Sequence, residues 1–140
     1  HRDLHSFPTR RSSDLYVSSL ESAARLYQGR YFENEAVGQY FIAEGQYYHE
    51  HYLRVMDQLI QAAMNAGEGE KALNYSKTLL SRDALWEPAY RSLMILHHRM
   101  GNPGSVLQTF QQCQQALNRE IGSEVSTETQ ALLNELLGRS

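Results

Sequence analysis

Cysteine pairs, long apolar runs and phosphate-binding loops are all absent from this sequence of 140 residues. No stretch approaches the ~20 apolar residues of a membrane-spanning helix, and the N-terminal segment lacks the apolar core of a secretory signal. The only cysteine, Cys113, cannot form an internal disulfide, which fits a reducing compartment. Neither GxxxxGK followed by Ser or Thr nor GxGxxG occurs, so a phosphate-cradling loop is not indicated. We therefore expect a cytoplasmic protein without a membrane contact.

Basic residues are too few and too scattered to form a nucleic-acid-binding surface. The sequence has 13 Lys and Arg residues against 16 Asp and Glu residues, which gives a formal net charge of −3. Because Lys and Arg must displace counterions from phosphates, tight DNA binding needs a cluster of them. We expect that this chain does not bind DNA itself.

Residues 1–15 (HRDLHSFPTRRSSDL) differ from the rest of the sequence, because they contain three arginines and Pro8 and lack a helical apolar period. From His5 to Leu15 the string resembles the translation of a sequencing-adapter oligonucleotide, and such additions are left out of fold reasoning. The alternative is a natural basic arm that reaches for phosphates. We expect a non-native, disordered tail over residues 1–15 and a natural domain over residues 16–140. Without the tail, ten basic and 14 acidic residues remain, a net charge of −4.

Apolar residues recur at steps of three and four along most of the natural domain, which is the spacing of one face of an α-helix. Asn102 followed by Pro103 marks a helix start, because Asn can cap a free amide while Pro has no N–H to leave unpaired. Asp83 and Ser126 are further candidate caps. The predicted helices cover Val17–Tyr27, a segment from Gln39 to Gly67, Ala72–Leu80, Leu85–Met100, Asn102–Leu117 and Thr127–Leu137, with a loop over Gly29–Gly38 after the first. The fold class is therefore all-α with about six helices and no strands.

The two central helix pairs are related by a constant offset of 34 residues. Residues matched at this offset are Leu59 and Leu93, Gly67 and Gly101, Ala72 and Val106, and Leu73 and Leu107. This is the period of tetratricopeptide repeats, in which antiparallel helix pairs stack on one another. Ile60 and Met94 stand where such repeats usually have Gly or Ala, so a chance pair of antiparallel helices is the alternative. We expect stacked tetratricopeptide-like pairs with Leu59, Leu93 and Phe110 in the core.

Five short segments occur in the order and spacing of a known family. They are Leu26–Gly29, Tyr47–Leu53, Trp86–Arg91, Leu93–Met94 and Glu120–Gly122. Together they resemble the bacterial transcriptional activator domain of regulators of the antibiotic-regulatory-protein type. The resemblance implies a tetratricopeptide-like fold that follows a winged-helix DNA-binding domain in the intact regulator. Ala84, Phe110 and Val125 depart from the family's usual residues, which leaves the helix geometry intact and the subfamily open.

No set of side chains has the spacing of a catalytic or metal site. In His49-Glu50-His51, residues two apart project about 200° apart on a helix, so a solvated helix face fits better than a metal site. His97 lies on an apolar stripe, where we expect a core histidine bonded to a nearby carbonyl. Cys113 has glutamine neighbours and no base, which predicts a small core residue rather than a nucleophile. We expect no enzyme activity, no metal and no cofactor.

The first helices of stacked pairs line the concave surface of such folds, which selects a candidate partner groove. The groove residues are Arg54, Asp57, Gln61 and Met64 on one such helix, and Arg91, Ile95 and His98 on the next. Arginines beside apolar side chains suit a short acidic-apolar peptide. The alternative is that the final helix, Thr127–Leu137, covers this face.

The resemblance implies a non-catalytic regulatory and protein-interaction domain of a bacterial transcription regulator. Its expected partners are its own DNA-binding domain, the transcription machinery or a second regulator subunit, and DNA is reached only through the DNA-binding domain. Fold alone does not fix function, so a generic tetratricopeptide-like scaffold of another signalling protein is the alternative.

Overall fold

The computed structural model describes residues 17–25 and 42–139. All regular secondary structure in these ranges is helical, which confirms the all-α prediction. The helices are α1 (residues 17–25), α2 (Ile42–Asn65), α3 (Gly69–Arg82), α4 (Glu87–Arg99), α5 (Pro103–Ile121) and α6 (Thr127–Leu136). Several of our expectations lie outside the described residues. They concern the tail, Leu26–Gly29, the loop over Gly29–Gly38, Gln39 and the side chain of Tyr47.

The chain divides into two compact units, residues 1–62 and residues 63–140. In the described part of the first unit, α1 buries Ala24, and α2 buries residues at helical spacing. The buried residues of α2 in this unit are Tyr52, Leu53, Met56, Leu59 and Ile60. Leu59 is 1% exposed, which confirms its predicted place in the core.

In the second unit α4 is the central helix, because it contacts α3, α5 and α6. One cluster of buried residues joins α4 to α5 through Tyr90, Cys113, Ala116 and Leu117. Another cluster joins α4, α5 and α6 through Met94, Val106, Phe110 and Leu133. Leu93 and Phe110 are both buried, as predicted from the helical stripes.

The 34-residue offset is repeated in backbone geometry at the turns that end α2 and α4. Gly67 and Gly101 have the same positive φ of 76°, which glycine adopts without a steric penalty. The N–H of Glu68 donates to the carbonyl of Ala63 at 2.8 Å, and the N–H of Asn102 donates to the carbonyl of His97 at 2.9 Å. This six-residue closure is the Schellman pattern that ends many helices. The two turns, 34 residues apart, thus share the same backbone geometry.

The end of α6 has the same turn. Gly138 has a φ of 70°, and the N–H of Arg139 donates to the carbonyl of Asn134 at 2.7 Å. α6 also packs against both α4 and α5, the two helices of the preceding pair. In packing and in its final turn, α6 therefore resembles the first helix of a further pair.

Two helix starts differ from the prediction. α4 begins at Glu87 rather than Leu85, because the N–H of Leu85 donates to Asp83 Oδ1 at 3.0 Å and holds a turn before the helix. Asp83 thus organises this turn and is the C-cap residue of α3, while Trp86 occupies the N-cap position of α4. Asn102 is the N-cap residue of α5, but its side chain makes no capping bond, and its carbonyl accepts the first N–H groups instead.

Candidate functional site

Glu87, in the first turn of α4, accepts hydrogen bonds from the start of α6. Its Oε2 atom accepts from the N–H of Ser126 at 3.1 Å, from Ser126 Oγ at 2.9 Å and from Thr129 Oγ1 at 2.5 Å. Ser126 also caps α6 as predicted, because its Oγ accepts from the N–H of Thr129 at 3.2 Å. Thr129 is fully buried, so these bonds hold the N-terminus of α6 against α4.

Arg91 lies one helical turn after Glu87 and extends the same contact. Its Nη1 donates to Thr129 Oγ1 at 3.0 Å and lies 4.0 Å from Glu87 Oε2. Its Nε lies 3.5 Å from Oε2 of Glu128, in the first turn of α6. The side chains of Glu87 and Arg91 are each 19% exposed. We call Glu87, Arg91, Ser126, Glu128 and Thr129 the α4–α6 polar cluster.

The α4–α6 polar cluster favours the charged form of Glu87. Burial is the largest single influence, and by itself it would raise the pKa of this carboxyl group. Hydrogen bonds from Thr129 and Ser126, together with the charge of Arg91, outweigh burial and bring the pKa of Glu87 below its ordinary value of 4.5. The carboxylate is therefore an acceptor for its hydrogen-bond donors at neutral pH.

The residues of the predicted partner groove differ in exposure and belong to both units. The exposed ones are Arg54 and Gln61 in the first unit and His98 in the second. The half-buried or buried ones are Asp57 in the first unit and Met64, Arg91 and Ile95 in the second. Arg91 is engaged with α6 through the α4–α6 polar cluster. The groove as one site stays a prediction.

Met64 lines a small cleft of about 160 Å³ at the end of α4. The other lining residues are Gly67, Gly69, Leu96, Arg99 and Met100. Ile95 and His98 do not line this cleft, although they lie on the same helix as two of its residues, Leu96 and Arg99.

A larger cleft of about 470 Å³ lies among α3, α4 and α5, and we call it the α3–α5 cleft. It is lined by Lys77 and Leu80 of α3, by Tyr90, Leu93 and His97 of α4, and by Ser105, Gln108, Thr109 and Gln112 of α5. This cleft was not among the sites expected from the sequence. The available signal was the pair Gln108 and Gln112, because residues four apart share one face of a helix.

The family model of the bacterial transcriptional activator domain matches residues 9–137. The chain belongs to this family. The match confirms the resemblance carried by the short segments of the sequence. It begins inside residues 1–15, so the domain boundary at residue 16 stays a prediction. No curated protein and no solved structure matches the chain.

His97 of this activator domain differs from its expected state. The side chain is half-buried, and its enclosed Nδ1 atom makes no hydrogen bond with any described residue. The expected bond to a carbonyl is therefore not made at this nitrogen, because the ring lines the α3–α5 cleft rather than a closed core. Burial, followed by the positive charge of Lys77, lowers the pKa of His97 below 6.5.

Cys113 of the activator domain is a core residue, as predicted. It is 0% exposed and packs with Tyr90, Ala116 and Leu117. Burial is the main cause that raises the pKa of its thiol to about 12, and the negative charge of Glu87 acts in the same direction. Because the thiolate is the nucleophilic form, this thiol is unreactive at neutral pH.

Over residues 17–25 and 42–139 of the activator domain, no three His, Cys, Asp or Glu side chains are grouped so that they could hold a metal ion. Within the same ranges, no helix combines the length and the apolar character that crossing a membrane requires.

Proposed function

We propose that this chain is the non-catalytic regulatory part of a bacterial transcription regulator and that it works through contacts with other proteins. The family match over residues 9–137 is the observation that supports this proposal. The fold is suited to the role, because stacked helix pairs present extended surfaces of side chains to a partner. The only cysteine is not available as a nucleophile, since burial raises the pKa of Cys113 to about 12.

In the proposed arrangement, a winged-helix DNA-binding domain precedes this domain in the intact regulator and recognises the promoter. The activator domain then contacts that DNA-binding domain, the transcription machinery or a second regulator subunit in the cytoplasm. The genomic sequence upstream of the codon for Tyr16 tests this arrangement. A winged-helix coding sequence there supports it, whereas a kinase, protease or cyclase domain supports a generic scaffold instead.

The charge of the chain supports a separation of DNA binding from activation. The formal net charge is −3, and the basic residues are spread along the sequence. We expect the full chain at micromolar concentration to give no band shift with promoter DNA at physiological salt, because few phosphate charges are neutralised. Tight, sequence-selective binding would place DNA recognition in this chain and contradict the proposal.

We further propose that the groove residues meet the partner, with each unit contributing its own part. Arg54 is exposed and can form paired hydrogen bonds with a carboxylate. In the second unit, Ile95 is half-buried and offers part of its apolar side chain, His98 is exposed, and Met64 is buried. Acidic groups of a partner suit the part in the first unit, and apolar groups suit the part in the second unit. Asp57 and Gln61 follow Arg54 on α2, about one and two helical turns later, and add hydrogen-bonding groups to that helix.

Arg54→Glu is the sharper test of this surface, because Arg91→Glu would also break the α4–α6 polar cluster. In the intact regulator we expect Arg54→Glu to reduce activation of a reporter by about tenfold, the effect of losing a single charged contact. Promoter binding and helix content should stay unchanged. The matched control is Arg119→Glu, an exposed arginine of α5 that pairs with the adjacent Glu120. Full activation by Arg54→Glu would remove Arg54 from the partner surface.

A further inference from the structure

The α3–α5 cleft combines an apolar base with a polar rim. Leu93 and Tyr90 are buried beneath it, and Leu80 of α3 is half-buried at its side. The Tyr90 hydroxyl is already used, because it donates to the carbonyl of Ala84 at 2.8 Å. The tyrosine ring therefore contributes an apolar surface to the cleft.

The rim of the cleft carries one formal charge. Lys77 is exposed, and none of the ion pairs formed by the described residues involves it. Gln108 and Gln112 are exposed on the facing helix, where each offers a carbonyl oxygen and an amide. A positive group beside neutral amides favours an anion, while a cation would be repelled.

His97 adds a second polar group without a hydrogen-bond partner. Its Nδ1 atom is enclosed, lies on a residue that lines the cleft and makes no hydrogen bond with the described residues. Because this nitrogen has no surface open to solvent, a ligand in the cleft meets the rest of the His97 ring, which responds to nearby charge. Lys77 and His97 come from different helices, and the charge of Lys77 acts on the ring of His97.

We propose that the α3–α5 cleft binds a small amphipathic carboxylate, with the acid group at Lys77 and the apolar body over Leu80 and Leu93. The volume of about 470 Å³ lies within the range of roughly 300–1,000 Å³ that small-molecule sites occupy. The two exposed glutamines then bond to polar atoms of the ligand, and the ring of His97 lies beside it. This site is separate from the proposed partner surface, and direct binding tests it independently of any role in transcription.

The experiment uses the full chain and two matched probes, N-acetylphenylalanine and its uncharged amide. Isothermal titration calorimetry gives their affinities, and NMR of the histidine side chains reports on His97. We expect the acid to bind about tenfold more tightly than the amide, because the hydrogen bond to a charged group is lost in the amide. Equal affinity of the two probes, or binding of neither at millimolar concentration, would overturn the proposal.

Two lysine variants locate the charge. Lys77→Gln should weaken binding of N-acetylphenylalanine by about tenfold and remove its preference over the amide. Lys71→Gln is the matched control, because Lys71 is on the same helix but does not line the cleft. A loss of affinity that is the same in both variants would show that the acid binds elsewhere.

The titration of His97 provides a readout that a nonspecific contact would not move. The charged group that faces His97 is Lys77 of α3. The groups of α5 that face it are uncharged: Ser105, Gln108, Thr109 and Gln112. On α4, the titratable neighbours of His97 are Tyr90, His98 and Arg99. A bound carboxylate offsets the charge of Lys77, so the pKa of His97 should rise when N-acetylphenylalanine saturates the chain. An unchanged or lowered pKa would place the carboxylate away from His97 and overturn the assignment.

Discussion

The two sides of α4 use polar side chains in opposite ways. Towards α6, Glu87 and Arg91 both have partners on the neighbouring helix. Towards the α3–α5 cleft, His97 Nδ1 and Lys77 have no hydrogen-bond or ion-pair partner among the described residues. A polar group with its bonds completed stabilises the fold, whereas an enclosed one without a partner, such as His97 Nδ1, costs stability, and an exposed one, such as Lys77, can meet a ligand. One side of the helix therefore serves stability, and the other is suited to binding.

The largest expected difference between the two sides is in their apolar residues. Met94 is 0% exposed and packs with Val106, Phe110 and Leu133, so Met94→Ala should lower the free energy of unfolding by about 2–5 kcal/mol. Leu93→Ala should cost about 2 kcal/mol, the low end of that range, because the space it leaves opens into the cleft. Urea unfolding followed by circular dichroism measures both. A greater loss for Leu93→Ala would reverse the comparison.

The polar residues should show the next largest difference. Glu87→Gln removes the charged acceptor of three hydrogen bonds and should lower the free energy of unfolding by about 1.5–3 kcal/mol. Lys77→Gln is the counterpart on the cleft side, and it should change stability by no more than about 0.5 kcal/mol. The same urea experiment applies. Equal effects of the two variants would show that the α4–α6 polar cluster contributes little to stability.

The polar residues on the two sides of α4 should also contribute to the free energy of unfolding in different ranges of pH. The folded pKa of Glu87 is lowered, so its contribution is complete well above pH 4.5 and is lost as the pH falls from about 4.5 through the folded pKa. The folded pKa of His97 is also lowered, but for a base this means that the unfolded chain takes up the proton first. Its effect therefore begins earlier, as the pH falls below 6.5.

Unfolding curves between pH 8 and pH 3 resolve these two contributions. Glu87→Gln should flatten the loss near and below pH 4.5, and His97→Gln should flatten the decline that begins near pH 6.5. Each variant serves as the control for the other. If His97→Gln left the profile above pH 5 unchanged, the cleft side would contribute nothing to the pH dependence.

The smallest expected signal is the reactivity of Cys113. With a pKa of about 12 and no exposed surface, the thiol should react with iodoacetamide at pH 8 only when the fold opens. Labelling should be faster in Glu87→Gln than in Lys77→Gln, because only the former weakens the attachment of α6. Unfolded protein in urea gives the upper limit of the rate. Rapid labelling of the folded wild-type chain would contradict the buried position.

The parts of the fold that depend on nearby residues could be predicted from the sequence. Gly67 and Gly101 end helices because each turn is closed by bonds within six residues, and the apolar spacing around Leu59 and Leu93 shows which face is buried. The Ser126 cap is also local, since its hydroxyl reaches only as far as Thr129. Such signals need no knowledge of which helices are neighbours in space.

The polar contacts could not be predicted, because their partners are distant in the sequence. Arg91 was placed in the partner groove, with cover by the final helix as the alternative; the structure shows it donating to Thr129, 38 residues away, but the spacing in the sequence did not identify this bond. The spacing of Glu87 and Arg91 in a sequence can indicate no more than an ion pair along one helix. Likewise, the α3–α5 cleft depends on how closely α3 and α5 approach α4. Side-chain packing sets these distances between helices, and the spacing of apolar residues in the sequence does not reveal them.

The order of contacts also has a consequence for synthesis on the ribosome. In the second unit, α4, α5 and α6 each pack against helices that come earlier in the chain. A newly emerged segment therefore finds its binding surface already outside the exit tunnel, and contacts between neighbouring segments form quickly. We expect this part of the nascent chain to gain structure vectorially, and α6 to attach only after Ser126 and Thr129 have emerged to reach Glu87.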